Sequence, residues 1–253
     1  MDIADNESDR ARLLASRAEG SGAWLEALPL HAVGLKLDNE TIRIAAGLRL
    51  GAALVHQHIC VCGTLVNADG HHGLACRRSA GRHSRHNQVN DILQRAFISA
   101  GVLATREPLG LCTNGKRPDG ITSVPWRKGR CLAWDATCPD TYAPSHLHAS
   151  SIVAGSAAEE FEVSKKKKYA DLPQHIDFVP VAIETTGVWG KEGWDLVKDL
   201  GKRLAKTLVE PRSTSFLRQR ISLAIQRGNA YCVQATHPQF EQLNNDNFNS
   251  FNT

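Results

Sequence analysis

The chain has 253 residues, 42% hydrophobic and 22% charged, with a formal net charge of +4. That length supports a core without staples, and that composition excludes fibrous or wholly disordered chains. No apolar run approaches the roughly 18 residues a membrane span needs, and the acidic start Met1-Asp2-Ile3-Ala4-Asp5 lacks the basic and apolar stretches of a signal peptide, so an intracellular, reducing compartment without membrane attachment is expected.

Residues 8–30 read as a helix with a polar start, in which Trp24, Leu25, Leu28 and Leu30 tether the arm to something larger. Residues 39–55 read as a second helix, with Asn39 as N-cap and Ile42, Ala45, Ala46, Leu48 and Leu50 as its apolar positions. A cysteine- and histidine-rich loop follows, from Cys60 to about His86. The clearest pattern spans 84–100. There Val89, Ile92, Leu93, Ala96, Phe97 and Ala100 recur at helical spacing, and Gly101 stands at the C-terminal cap.

Val102 to Glu107 reads as a short strand. Two more, 120–124 and 131–137, form a hairpin across Pro125-Trp126-Arg127-Lys128-Gly129-Arg130. A polar helix with a basic end covers 155–172, and a strongly apolar strand over 176–184 reads as central. Amphipathic helices at 191–208 and 213–227 follow, and the asparagine-rich stretch 244–253 is predicted to be disordered. From residue 84 the order is α-β-β-β-α-β-α-α, an α/β chain with a mixed sheet flanked by helices. The expected organisation is a helical arm (1–55), a metal knuckle with a basic patch (56–86), a main domain (87–240) and a tail (241–253).

Charge is unevenly distributed. Residues 51–131 hold eleven Lys/Arg against four Asp/Glu, whereas residues 1–50 hold six against eight. A basic middle suits a polyanionic partner.

Two constellations carry chemistry. Cys60-x-Cys62, eight residues, His71, four residues and Cys76 supply the three thiolates and one imidazole of a closed tetrahedral zinc shell, which is structural rather than catalytic. His72 is an alternative third ligand, and His83 or His86 could substitute. Arg77, Arg78, Arg82, Arg85 and His86 follow at once, so a metal-fixed loop running into a helix would present a phosphate-contacting surface; the bland alternative is solvated side chains. The second constellation is Arg117-Pro118-Asp119-Gly120 and, after fifteen intervening residues, Asp135. Carboxylates on paired strands can converge on Mg²⁺ or Mn²⁺, which activates water and neutralises charge building on a phosphodiester. Asp135 stands between Trp134 and Ala136 in an apolar strand, where desolvation calls for a cation or an ion pair. Thr137 occupies the place where a catalytic lysine is expected, two residues after the second carboxylate. Lys165 and Lys168, with Tyr169 next, are the candidate cations, though four consecutive lysines also suit a helix C-terminus. Glu184, ending the apolar strand, is the better placed further carboxylate; Glu107 is the other.

In combination, Cys60-x-Cys62…His71…Cys76, Arg85-His86, Arg117-Pro118-Asp119…Asp135 and Lys165…Lys168-Tyr169 resemble the C-terminal region of site-specific non-LTR retrotransposon polyproteins. There a CCHC zinc knuckle precedes a restriction-like endonuclease. The resemblance covers about residues 55–190. It implies a PD-(D/E)XK fold, divalent-metal cleavage of double-stranded target DNA in the nucleus, and a reverse transcriptase with its RNA template as partners. It matches Asp119 and Asp135 to the two acidic residues, and Lys165 and Lys168 to a displaced lysine pair. With 253 residues beginning at Met1, the chain is expected to lack the polymerase itself. Two alternatives stay open: a catalytically inactive zinc-knuckle DNA-binding relic, and a junction-resolving nuclease.

Overall fold

The computed structural model describes residues 6–79, 81–112, 115–237 and 240. The predicted tail, 241–253, lies outside them. Helix α1 (Glu7–Arg17) starts where the Asn6 side chain accepts the Asp9 N–H at 2.7 Å. It stops well short of the predicted 8–30 span, because Gly20 takes a left-handed conformation (φ +81°) that breaks the helix. A 3₁₀ turn at Ala23–Glu26 follows and buries Trp24 beside Leu223. Of the expected tethers only Trp24 is buried; Leu25, Leu28 and Leu30 face solvent.

Helix α2 (Asn39–Leu50) is capped by Asp38 rather than Asn39, with the Asp38 carboxylate accepting the Thr41 N–H at 2.8 Å. Its inward face is Ile44, Ala45 and Leu48, and Ile42 points outward. The cysteine-rich loop is more ordered than its sequence suggests. It contains a two-residue antiparallel ribbon, β1 (His58–Ile59) with β2 (Leu65–Val66), and a short helix, α3 (His71–Ala75).

Helix α4 (Gly81–Ser99) buries Val89, Leu93, Ala96 and Phe97, as the spacing predicts, and Gly101 beyond it adopts φ +77°. Strands β3 (Ala104–Arg106), β4 (Gly120–Thr122) and β5 (Cys131–Thr137) follow. Then come α5 (Leu147–Ser150), α6 (Ser156–Lys168), β6 (Ile176–Ala182), α7 (Lys191–Leu208) and α8 (Ser213–Gln234). Among the described residues the chain is mixed α/β, with eight α-helices, the small ribbon and a four-stranded sheet ordered β3-β4-β5-β6. The β3–β4 and β4–β5 pairs are antiparallel and β5–β6 is parallel, with Asp135 beside Pro180.

Strand β6, expected to be central, is an edge strand. Pro180 in its middle cannot donate to a ladder, which confines such a strand to an edge. Packing by α6 and α7 supplies the burial that made its sequence look interior. Side chains alternate along β5. Leu132, Trp134 and Ala136 share a core with Val89, Leu93 and Phe97 of α4, Leu196, Val197 and Leu200 of α7, and Ile221 and Ile225 of α8. Asp135 points the other way, to α6. Helix α8 also reaches the N-terminal part of the chain: Ala230, Cys232 and Val233 cluster with Ile44, Leu48, Leu54, Leu74 and Tyr142.

Candidate functional site

Asp119 immediately precedes β4. One oxygen, Oδ2, accepts three hydrogen bonds: from His86 Nε2 at 2.8 Å, Asn90 Nδ2 at 3.0 Å and the Ala136 backbone N–H at 2.7 Å. No hydrogen bond to Oδ1 is found among the described residues. Burial pushes this carboxyl up, but the hydrogen bonds and charge of His86, the Asn90 amide and the Ala136 N–H outweigh it and hold the pKa below the usual carboxylate value. The His86 imidazole is shifted up in return, chiefly by its bond to Asp119. Asn90 is fully buried and is itself fixed by Trp134, whose indole N–H donates to Asn90 Oδ1 at 2.9 Å.

Asp135, one residue before Ala136, has a side chain only 3% exposed. Its Oδ1 is ion-paired with the Lys165 ammonium, and Lys168 Nζ stands 3.5 Å from Oδ2. The Tyr169 hydroxyl lies 2.5 Å from Oδ2 and 2.6 Å from the Arg117 carbonyl, so one phenol spans the approach to β4 and the β5 carboxylate. Burial, then the bond to Asp135, shifts the Tyr169 hydroxyl strongly upward, so it stays protonated. Both predicted lysines therefore reach Asp135 from the last turn of α6, a helix that packs on the neighbouring strand β6. Thr137 sits at the end of β5, paired with Ala182, and offers no cation.

Glu184 does not join this group. Oε1 accepts the Ala157 and Ala158 N–H groups at 3.1 and 3.3 Å, at the start of α6, and Oε2 accepts the Thr141 hydroxyl at 2.8 Å. Glu184, expected as a further catalytic carboxylate, is instead set in a separate group: four backbone and hydroxyl donors, counting Thr186, engage both oxygens of its fully buried side chain. Glu107 is exposed and sits 3.9 Å from the Arg117 guanidinium.

The cysteine cluster closes with a different histidine. Cys60, Cys62, His72 and Cys76 bring one ligand atom each to within 4.8 Å of one another, and no other His/Cys/Asp/Glu group of three or more does so among the described residues. Cys60 and Cys76 sulfurs are 3.8 Å apart, matching the edge of about 3.8 Å that a tetrahedron of about 2.3 Å zinc–sulfur bonds requires. Cys62 Sγ and His72 Nε2 are 3.2 Å apart. The cluster could thus hold a metal such as zinc. Burial pushes the Cys60 thiol up to about 12, while the Thr64 hydroxyl and backbone N–H bring Cys62 down to about 6. A cation would favour the thiolate at all three cysteines. His71 is displaced from the predicted ligand set; it stacks on Tyr142 with ring centroids 3.8 Å apart. Neighbours on a helix point about 100° apart, so α3 can aim only one of His71 and His72 at the sulfurs.

The basic patch divides. Arg77, Arg78 and Arg82 are exposed, with Arg78 donating to the Val61 carbonyl at 2.8 Å and Arg82 to the Ala75 carbonyl at 3.4 Å. Arg117 is exposed beside Glu107. Arg85, expected on that surface, is buried at 1% exposure and donates to Asn229 Oδ1 at 2.6 Å and to the Leu74 and Cys138 carbonyls. It ties α4 to α8 and cannot contact DNA. His86, also expected there, spends Nε2 on Asp119. Asn90 escaped sequence reading, although an asparagine beside Val89 and three residues before Leu93, on the buried stripe of α4, was a legible signal. No helix among the described residues is long and apolar enough to cross a membrane.

No family model matches this chain, and comparison with curated proteins gives no match.

Proposed function

We propose that the chain is a Mg²⁺- or Mn²⁺-dependent DNA endonuclease of the PD-(D/E)XK type, of the kind found in non-LTR retrotransposons. The observation that carries this reading is the buried Asp135 carboxylate paired with Lys165 and Lys168, one peptide unit from the backbone N–H that Asp119 accepts. The succession α4-β3-β4-β5-α5-α6-β6, with one aspartate immediately before β4 and the other inside β5, supports the same reading. Two carboxylates are an oxygen donor set suited to a hard divalent cation, and Asp119 Oδ1 is open to one. Such a cation would lower the pKa of a bound water and offset charge building on the phosphodiester. Lys165 orients Asp135 and brings a positive charge to the place where a scissile phosphate must lie, the role left vacant by Thr137. Zinc at Cys60, Cys62, His72 and Cys76 would order the segment bearing Arg77, Arg78 and Arg82, which neutralise backbone phosphates of a duplex. Nuclear DNA is the substrate under this reading, with a reverse transcriptase and its RNA template as partners.

A second reading, a zinc-knuckle DNA-binding relic without nuclease activity, is favoured by one feature. Lys165, Lys168 and Tyr169 already engage both Asp135 oxygens. Nicking of supercoiled plasmid separates the two. Under the endonuclease reading the wild type nicks with Mg²⁺ or Mn²⁺, not with EDTA, and Asp135→Ala abolishes nicking while still binding DNA. Salt-sensitive binding without nicking by either chain means the relic.

A further inference from the structure

We infer that His86 and Asn90 are positioning residues that load Asp119 Oδ2 with hydrogen bonds and so present Oδ1 as the ligand atom for the cation. This rests on the endonuclease reading above. Three donors on one carboxylate oxygen exceed its two lone pairs, so Oδ2 is saturated. They arrive from two elements, α4 and the β5 backbone, which stops the carboxylate rotating about its Cβ–Cγ bond. The support extends one step further. Asn90 also donates to the His86 carbonyl at 3.2 Å and receives the Trp134 indole N–H, so the face of α4 that grips Asp119 is locked to the core of the sheet. Partners that fix the orientation of metal-binding groups typically matter by about 10–100-fold in metal affinity. The sequence placed His86 among phosphate contacts, but its Nε2 is committed to Asp119 at 2.8 Å.

The test uses zinc-loaded protein and three chains: wild type, His86→Ala and His86→Gln, the last keeping an N–H donor of similar reach. Mn²⁺ affinity is read from the electron paramagnetic resonance of free Mn²⁺, nicking from a Mg²⁺ titration, and DNA affinity from its dependence on salt. His86→Ala is expected to weaken Mn²⁺ binding and raise the Mg²⁺ demand by about 10–100-fold, with DNA affinity and its salt slope unchanged. His86→Gln is expected to stay close to wild type. If the alanine chain melts early, His86→Asn, polar but too short to reach Oδ2, carries the same comparison. A His86→Ala protein with wild-type metal dependence, or one that instead binds DNA more weakly with a shallower salt slope, overturns the inference alone. A wild type that neither binds Mn²⁺ nor nicks overturns the endonuclease reading and this inference with it.

Discussion

Gly120 of β4 and Trp134 of β5 are register partners, and the Trp134 indole fills the space that any side chain at position 120 would need. The glycine lets the indole lie flat against β4, reach Asn90 with its N–H and stack on Phe97 at 5.0 Å. Asp119, immediately before, therefore arrives at the Ala136 N–H and at α4 together.

Gly120→Ala is expected to destabilise the chain by about 1–3 kcal/mol, the usual cost of overpacking a rigid core, and to part Asp119 from Ala136. Urea denaturation measures the first effect and loss of divalent-metal binding the second. An unchanged midpoint would mean that Trp134 moves aside without cost.

Zinc content discriminates between the two neighbouring histidines. Wild type and His71→Ala should each retain about one zinc per chain, because the His71 ring stacks on Tyr142 and faces Asp69 rather than the sulfurs. His72→Ala should lose metal far more readily to a chelator. Hydrogen exchange should rise in β1 and β2, which have little core of their own apart from Val66 and the cysteines. Equal retention by both variants would remove His72 from the shell.

Arginine substitutions should sort by burial. Arg85→Ala should cost about 3 kcal/mol or more, since a buried Asn229 oxygen and two carbonyls lose a charged donor. Arg77→Ala and Arg82→Ala should melt like wild type, and each should lower the salt slope of DNA binding by about 1. A stable Arg85→Ala protein with a reduced slope would contradict this division.

Glu162 on α6 caps the start of α7: Oε2 accepts the Glu192 N–H at 3.0 Å and Oε1 the Gly193 N–H at 2.9 Å. Burial outweighs these bonds and pushes its carboxyl up to about 7. A pKa raised on folding means that the folded chain holds the proton more tightly. The associated stability is complete below about pH 4.5, the unfolded value, and is lost as pH rises through about 7. Glu162→Gln, which cannot titrate, should show a smaller fall in melting temperature between pH 5 and pH 8, on top of a pH-independent offset from its poorer acceptor geometry. An identical fall in both chains would assign the slope to other groups.

Much of the fold is local and was legible in residue order. The stripe Val89, Leu93, Ala96 and Phe97 specifies α4 through its period, and α7 spans Lys191–Leu208 as its apolar spacing predicts. Helix α8 runs seven residues beyond its predicted end at 227, because Ala230, Cys232 and Val233 bury against the N-terminal elements, a partner no local pattern reveals. The central reading of β6 failed on Pro180, a constraint present in the sequence but outweighed there by apolar content.

The site divides in the same way. Residue chemistry alone marked Asp135, because an aspartate flanked by tryptophan and alanine in an apolar strand must be compensated, and it marked the three cysteines, because thiols crowded with histidine suit a metal. Which groups provide the compensation was settled by chain packing. The turn phase of α3 selects His72 over His71, the crossover of α6 brings Lys165 and Tyr169 onto Asp135, and the seat of α4 against α8 buries Arg85 while turning His86 to Asp119. Periodicity and burial preference belong to single residues and their neighbours. The partner of a polar side chain depends on elements far apart in the chain, and those meet only when the core closes.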